Sequence, residues 1–202
     1  MSRRGGRGLR FVIVTRNKGK AEEFRKIFSE YGLRFRVEPM ETPEIQASDL
    51  RAIAKESVLY AYDVLREPVM VEDAGLFIDA LNGFPGPFSS YAYKTIGIRG
   101  ILKLLEGVED RRARFVSVIA FYSPLTEPVR FFVGEVEGYI SDEPRGFKGF
   151  GFDPIFIPAE GDGRTFGEMD IEEKNRFSHR ARSSKKFAEW ISRLEELPPP
   201  YE

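Results

Sequence analysis

The first half of the chain alternates short apolar segments with amphipathic ones, and this alternation restricts the fold more than its composition does. Apolar or β-branched residues dominate three segments that we interpret as strands, 9–15, 34–39 and 68–81. Apolar residues recur at helical spacing in the intervening and following sequence, which predicts helices over 21–32, 48–65 and 90–105. Strands that alternate with helices are typical of an α/β domain.

The second half of the chain has a different pattern. Residues 113–123 and 129–141 alternate apolar with polar side chains, and the prolines between them favour a connection within an antiparallel pair. A Gly-rich loop over 147–158 leads into a short strand, and a capping box at Asp170 predicts a short helix. The last helix is expected to follow Ser178 as its N-cap. Together the two halves predict an α/β domain with a mixed sheet.

Composition excludes several classes of protein. We predict that the 202 residues divide into a basic arm over 1–8, a single α/β domain over 9–197 and a tail over 198–202. A net charge of −1 argues against a stable nucleic-acid partner, and the absence of cysteine excludes disulfides and thiolate metal sites. A single histidine makes zinc ligation unfavourable. No apolar segment approaches the roughly 20 residues that span a bilayer, so we expect no membrane partner and a cytoplasmic location.

The segment TRNKGK, Thr15–Lys20, lies between a buried strand and a helix start, which is where open α/β folds bind phosphates. It is not a Walker A loop, because Val14 and Ala21 stand where that motif needs Gly and Ser or Thr. Backbone N–H groups with Lys18 and Lys20 are suited to hold a polyphosphate. The alternative is an ordinary turn capped by Asn17.

The segment VEDAGL places Glu72 and Asp73 within an otherwise apolar strand. Burying carboxylates costs several kcal/mol unless cations or donors compensate. Adjacent strand residues project to opposite faces, so only one of the two is expected to face a given site. Hard oxygen ligands favour Mg²⁺ over a transition metal. The alternative is that the strand breaks at Glu72 and both acids lie in a hydrated loop.

The segment GFGFDPIF alternates glycine with aromatic residues up to Asp153. Glycine allows a ligand to approach the backbone, and Phe150 and Phe152 offer faces on which a base can stack. Asp153 is able to accept hydrogen bonds from ring N–H groups. The alternative is a loop whose aromatic residues fill the core.

The segment EEKNRFSHR brings Lys174, Ser178, His179 and Arg180 to the ends of two adjacent helices. Cations are mildly unfavourable in the first turn of a helix, because that end carries partial positive charge. A docked anion would explain them, and a solvated surface run of charge is the alternative.

Together and in this order, these segments resemble the inosine triphosphate pyrophosphatase family, from about Phe11 to Trp190. The resemblance implies a two-lobed single domain with a long mixed central β-sheet flanked by helices and an active-site cleft between the lobes, usually in a homodimer. It also implies Mg²⁺-dependent hydrolysis of non-standard purine nucleoside triphosphates, such as ITP, dITP and XTP, to the monophosphate and pyrophosphate.

The same resemblance implies roles for individual residues. Asp73 matches the metal-binding carboxylate and general base, and Glu44 matches a second Mg²⁺ ligand. The residues implied to bind substrate are Thr15, Arg16, Asn17, Lys18, Gly19, Lys20, Lys55, Phe150, Gly151, Phe152, Asp153, Lys174, His179 and Arg180. Arg180 donates only, so it suits the 6-keto group of inosine or xanthosine and disfavours the 6-amino group of adenine. Two residues depart from the family pattern. The family often has Gly at the position of Arg16, and Ser or Thr at the position of Ala74.

Three other functions fit parts of the sequence. A pyrophosphatase of similar fold for other modified nucleotides and a nucleotide-binding regulator without turnover both use the same loops. A nucleic-acid-binding module uses the basic arm and the SHRARSSKK helix, but the net charge of −1 argues against it.

Overall fold

The computed structural model describes residues 10–43, 45–126 and 128–194. Within these ranges the chain forms seven strands and six α-helices. The strands are β1 (Arg10–Val14), β2 (Arg34–Glu38), β3 (Val69–Ile78), β4 (Pro85–Gly86), β5 (Arg112–Tyr122), β6 (Arg130–Ile140) and β7 (Phe156–Pro158). The α-helices are α1 (Lys18–Glu30), α2 (Leu50–Leu65), α3 (Ser89–Thr95), α4 (Gly97–Leu104), α5 (Ile171–Asn175) and α6 (His179–Ile191).

One mixed sheet organises the fold, in the order β2-β1-β3-β5-β6-β7. Strand β1 pairs in parallel with β2 and β3, whereas β3, β5, β6 and β7 pair antiparallel in succession. The two-residue strand β4 pairs with the end of β3. The parallel part corresponds to the strand–helix units of the first half of the chain, and the long antiparallel part to the second half.

Helices cover both faces of this sheet. On one face α1 and α6 pack on the side chains of Phe11, Ile13, Met70, Ile119 and Phe121. On the other face α2 packs on Val12, Val14, Val71, Val118 and Ala120. Residues of β1, β3 and β5 therefore alternate between an α1/α6 face and an α2 face. No helix in the described part of the chain has the length and hydropathy needed to cross a bilayer.

The predicted elements are confirmed with changed boundaries. Strand β3 continues through Glu72 and Asp73, so the hydrated-loop alternative is wrong. The helix predicted over 90–105 is two helices, because Gly97, the first residue of α4, adopts a positive φ of 64°. Helix α1 begins three residues earlier than predicted, at Lys18. The predicted arm over 1–8 and tail over 198–202 lie outside the described residues.

Candidate active site

The candidate phosphate loop, Thr15–Lys20, joins the end of β1 to α1. Asn17 caps the helix, with Oδ1 accepting from the Lys20 N–H at 3.0 Å, and Thr15 Oγ1 accepts from the Asn17 N–H at 3.2 Å. Lys18, Gly19 and Lys20 therefore occupy the first helical turn, whose N–H groups lack partners within the helix. The exposed side chains of the loop are those of Arg16, Asn17 and Lys18. A capped helix start with exposed cations is a favourable place for an anion.

Lys20 connects this loop to the carboxylate of Glu72 on β3. Its Nζ donates to the Glu72 backbone carbonyl at 3.1 Å and lies 2.8 Å from Glu72 Oε2. The other carboxylate oxygen accepts from Ser117 Oγ at 2.7 Å and from Arg180 Nε at 3.2 Å. Burial alone would raise the pKa of Glu72, but Arg180 and Lys20 outweigh it and hold the pKa well below its usual range. Glu72 is therefore a buried, ionised anchor for two cations.

Asp73 projects to the opposite face of the sheet from Glu72. It shares its strand face with Val71, which packs under α2, and its partner in the β3–β5 ladder is Val118 of the same face. Its Oδ1 accepts from the Ala74 N–H at 3.0 Å. Lys55 is exposed on α2, the helix over this face. The two adjacent acids are thus divided between the two faces, as their strand position predicts.

A buried ion cluster connects α1, α5 and α6 to the loop before β7. Glu23 on α1 pairs with Arg180 Nη1 at 2.5 Å and with Lys174 Nζ at 2.8 Å. Lys174 also contacts Asp153 Oδ2 at 2.7 Å, and this oxygen accepts from the Phe150 N–H at 2.8 Å. Burial alone would raise the pKa of Glu23, but Arg180 and Lys174 lower it to about 2. The cluster holds the GFGFDPIF loop to the helix starts.

The Phe150 ring is the meeting point of the phosphate loop and this cluster. Lys174 Nζ lies 5.0 Å and Arg180 Cζ 5.3 Å from the ring centroid, within cation–π range. Gly19 packs so closely that an added Cβ would lie 2.8 Å from Phe150 Cε1. Only glycine fits here without moving the ring. Phe150 is half-buried, so part of it is accessible to a ligand.

His179 is buried in the first turn of α6. Its ring stacks on Phe115 with centroids 4.6 Å apart and an interplanar angle of 12°. Burial lowers the pKa of His179 well below its usual value, so the ring stays neutral at pH 7. His179 is therefore neutral and adds no charge to the site.

Comparison with known proteins identifies the family. The Ham1 family matches residues 11–190, which is most of the chain. The chain belongs to the Ham1 family. It is 48% identical over 182 residues to a dITP/XTP pyrophosphatase of Methanopyrus kandleri. This alignment covers 90% of this chain and 96% of that protein. It is 50% identical over 182 residues to a dITP/XTP pyrophosphatase of Hyperthermus butylicus, which covers 89% of this chain and 93% of that protein.

Solved Ham1 structures have the same fold. Ham1 proteins of Coxiella burnetii and Staphylococcus aureus align with TM-scores of 0.78 and 0.77, at 31% and 30% identity, over 91% of this chain and 98% of each of theirs. The predicted α/β class with a mixed sheet flanked by helices is confirmed by these structures.

The structure brings six of the sixteen site residues predicted from the sequence into contact with one another. Lys20, Gly19, Phe150, Asp153, Lys174 and Arg180 form one contiguous set of contacts. Phe152 is instead buried in the core against Tyr93, at 3% exposure, which does not support base stacking on Phe152. Asp153 is buried too, and its Oδ2 accepts from Lys174 and Phe150. Glu44 lies outside the described residues.

The two departures from the family pattern have simple placements. Arg16 forms an exposed ion pair with Glu41, so it points outward from the loop. Ala74 lies on β3, and its N–H donates to Asp73. Neither placement removes a charged group from the set of contacts around Phe150.

Sequence reasoning missed Glu23 and Ser117, which hold the cations of this set. Glu23 had a usable signal, because it shares one helical face with Phe24 and Ile27, both buried. A carboxylate on an apolar face needs a buried cation as partner. Ser117 had no such signal, since a serine in an alternating strand is as common on the solvent side as on the buried side.

Proposed function

We propose that this protein hydrolyses dITP, XTP and ITP to the corresponding monophosphate and pyrophosphate. The observation that carries this proposal is the direct contact between the phosphate loop and the aromatic loop, through Gly19 and Phe150. A nucleoside triphosphate needs both loops at once, one for its phosphates and one for its base. The similarity to curated dITP/XTP pyrophosphatases over about nine-tenths of the chain supports the same substrates.

The proposed reaction is an in-line displacement by water at the α-phosphorus. A bond forms between the water oxygen and the α-phosphorus, and the bond from the α-phosphorus to the bridging oxygen breaks. Pyrophosphate leaves with the bonding electron pair, and Asp73 accepts the proton that the water loses. Glu72 is unsuited to this role, because Lys20 and Arg180 already occupy its carboxylate, and Asp73 matches the general base of the family. Glu72 then positions cations, and Asp73 handles the proton.

Charge neutralisation of the triphosphate is the second requirement of this reaction. Lys18 and Lys20 in the phosphate loop and Lys55 on α2 are the cations proposed for it, with the Thr15–Lys20 backbone N–H groups at the helix start. Lys20 is the most constrained of the three, since Glu72 already fixes its ammonium group. A bound polyphosphate therefore either replaces Glu72 as the partner of the Lys20 ammonium group or binds that group together with Glu72.

Mg²⁺ fits the donor chemistry of this region. Among the described residues no three acidic, His or Cys side chains cluster as a complete metal site. Mg²⁺ commonly takes only one or two carboxylates and completes its shell with water and phosphate oxygens. We propose that Asp73 and Glu44 hold it together with the substrate phosphates. When bound, Mg²⁺ would neutralise phosphate charge and polarise the bond to be cleaved.

Selectivity for the base is proposed to come from donors around Phe150. Arg180 and Lys174 carry only donors, so a base edge that meets them must offer acceptors. The 6-keto group of hypoxanthine and xanthine does so, and the 6-amino group of adenine does not. His179, neutral in this environment, and Gly151 are proposed to complete the base pocket. Glu23 and Glu72 fix the Arg180 guanidinium, which makes the mismatch costly to relieve.

We further propose that the protein acts as a homodimer in the cytoplasm. Several large apolar side chains near α3 are exposed, and they would suit a protein interface. They are Phe84, Phe88, Tyr91, Tyr93 and Ile96, each between 39% and 70% exposed. Light scattering on the purified protein tests this assembly, with a mass near twice 23.1 kDa expected.

Product analysis tests the proposed activity. The protein is incubated with Mg²⁺ and, separately, with XTP, dITP, ITP, ATP and GTP, and the products are separated by ion-exchange chromatography. Monophosphate with pyrophosphate from the first three, and little product from ATP, is the expected result. GTP has the same 6-keto group, so its turnover shows whether the 2-position of the purine is recognised as well. Diphosphate with inorganic phosphate would contradict the proposed bond. Tight binding without any product would favour a nucleotide-binding regulator instead.

A further inference from the structure

Two buried serines form a hydroxyl pair between the sheet and α6. Ser117 on β5 and Ser183 on α6 are both fully buried, and their Oγ atoms lie 2.8 Å apart. Ser117 Oγ also lies 2.7 Å from Glu72 Oε1, and Ser183 Oγ lies 3.1 Å from the Arg180 carbonyl. The pair therefore connects the anchor of Lys20 to the helical turn that carries Arg180.

The number of protons decides the direction of these hydrogen bonds. The three contacts share two hydroxyl protons, and the Glu72 carboxylate, ion-paired with Lys20 and Arg180, only accepts. The short Ser117–Glu72 contact uses the Ser117 proton. Ser117 then accepts from Ser183, which gives its proton to this 2.8 Å contact in preference to the longer one to the Arg180 carbonyl. The hydroxyls thus form one directed chain, from Ser183 to Ser117 to Glu72.

Gly134 allows this contact to form. It is the partner of Ser117 in the β5–β6 ladder. A Cβ on Gly134 would overlap with the His179 carbonyl oxygen and the Ser183 backbone nitrogen. Glycine at this point lets the first turns of α6 approach the sheet closely enough for the two hydroxyls to meet.

We propose that Ser117 is a positioning residue for substrate binding, which acts through Glu72. By donating to Oε1, Ser117 fixes the orientation in which Oε2 meets Lys20 and Oε1 also meets Arg180. A single orientation of the Glu72 carboxylate then positions both Lys20, in the phosphate loop, and Arg180, in the proposed base pocket. This inference rests on the proposed function, because it assigns Lys20 and Arg180 to the substrate.

The position of Asp73 on the opposite face makes the inference specific. Loss of the Ser117 hydroxyl disturbs groups that hold substrate and leaves the proposed base unaffected. We therefore expect Ser117→Ala to raise KM for XTP about ten-fold with kcat changed less than two-fold, since groups that bind ground state and transition state alike act on KM. The preference for XTP over ATP should fall as well.

A double-mutant cycle tests this inference. Steady-state kinetics with XTP are compared for the wild type, Ser117→Ala, Glu72→Gln and the double variant. If Ser117 acts through Glu72, Ser117→Ala changes KM less than two-fold in the Glu72→Gln background. Lys20→Met provides a second background that keeps the buried carboxylate, and there too the KM effect should shrink. Ser123→Ala is the matched control, because Ser123 is fully buried just after β5 and, within the described residues, its side chain and carbonyl form hydrogen bonds with the turn that follows.

The outcomes separate this inference from the function on which it rests. A wild type that turns over no purine triphosphate overturns the proposed function and the inference together. An active wild type with Ser117→Ala kinetics equal to those of Ser123→Ala overturns the inference alone. So does a Ser117→Ala variant that loses kcat at unchanged KM, or one whose KM effect stays the same in both the Glu72→Gln and Lys20→Met backgrounds.

Discussion

Arg180, in the first turn of α6, donates to Glu23, on α1, at 2.5 Å, and both side chains are buried. This ion pair connects the helix that follows the phosphate loop to the helix that carries the last basic motif. Lys174 shares the same carboxylate, so Glu23 has two buried cations as partners. Removing one member of a buried ion pair leaves the others desolvated without compensation, which is more costly than losing a surface pair.

Neutralising Glu23 is therefore expected to destabilise the fold. We predict that Glu23→Gln lowers the free energy of unfolding by about 3 kcal/mol, since Lys174 and Arg180 remain charged and buried. Urea-induced unfolding followed by circular dichroism measures this change. The neighbouring Glu22 is the control, because its side chain is 57% exposed in a surface pair with Arg25, and Glu22→Gln should change stability by less than about 0.5 kcal/mol. Equal effects of the two substitutions would contradict the account.

Stability should fall as the pH is lowered, in two separate ranges. The pKa of His179 is held well below 6.5 by burial, so below pH 6.5 the unfolded chain binds a proton that the folded chain does not. The pKa of Glu23 is about 2 in the folded state against 4.5 without its partners, so its contribution is lost as the pH falls from about 4.5 towards 2. Both stabilising effects are complete above pH 6.5.

His179→Gln separates the two ranges. It removes the group that titrates first, so we expect a flatter dependence of Tm on pH between 6.5 and 5, and the same steep loss below 4.5. Differential scanning calorimetry across pH 2–8 measures both ranges. A wild-type Tm that stays constant from pH 7 to 5 would show that His179 is not held neutral by the fold.

Gly19→Ala tests the contact between the phosphate loop and Phe150. The added methyl group would lie 2.8 Å from Phe150 Cε1, so the ring must move. We expect kcat/KM for XTP to fall about ten-fold, or about 1.4 kcal/mol of transition-state stabilisation. Gly161→Ala is the control, because its nearest contact is a side-chain atom of Pro158 at 3.0 Å, outside the site. A Gly19→Ala variant as active as Gly161→Ala would mean that activity does not depend on the position of the Phe150 ring against Gly19.

Local patterns predicted the elements of this fold well, and the reasons are physical. The continuous apolar pattern around Glu72 predicted β3, and strand alternation correctly divided Glu72 from Asp73. The capping residues of α5 and α6, Asp170 and Ser178, were identified from their hydrogen-bonding side chains alone. Such signals depend on neighbours in the chain, so one sequence is enough to read them.

Partners distant in the chain were not predictable in the same way. The cations that open α6 indicated an anion, and the structure provides two protein carboxylates for Arg180, one of them 157 residues away. Whether a substrate anion lies there as well stays a prediction. Phe150 and Phe152 are two residues apart with the same side chain, yet one is half-buried and the other lies in the core. That difference arises from loop geometry, which a single sequence does not encode locally.

The most direct test of the central claim, that Asp73 carries out the proton transfer while Glu72 only positions cations, is pyrophosphate release from XTP by Asp73→Asn. Asp79→Asn is the matched control, because Asp79 follows β3 and its side chain, in the described part of the chain, forms partly exposed ion pairs with Arg112 and Arg114. We predict that Asp73→Asn loses at least about 100-fold in kcat with the wild-type fold retained, and that Asp79→Asn stays within two-fold of wild type. An Asp73→Asn enzyme that releases pyrophosphate as fast as Asp79→Asn would contradict the account.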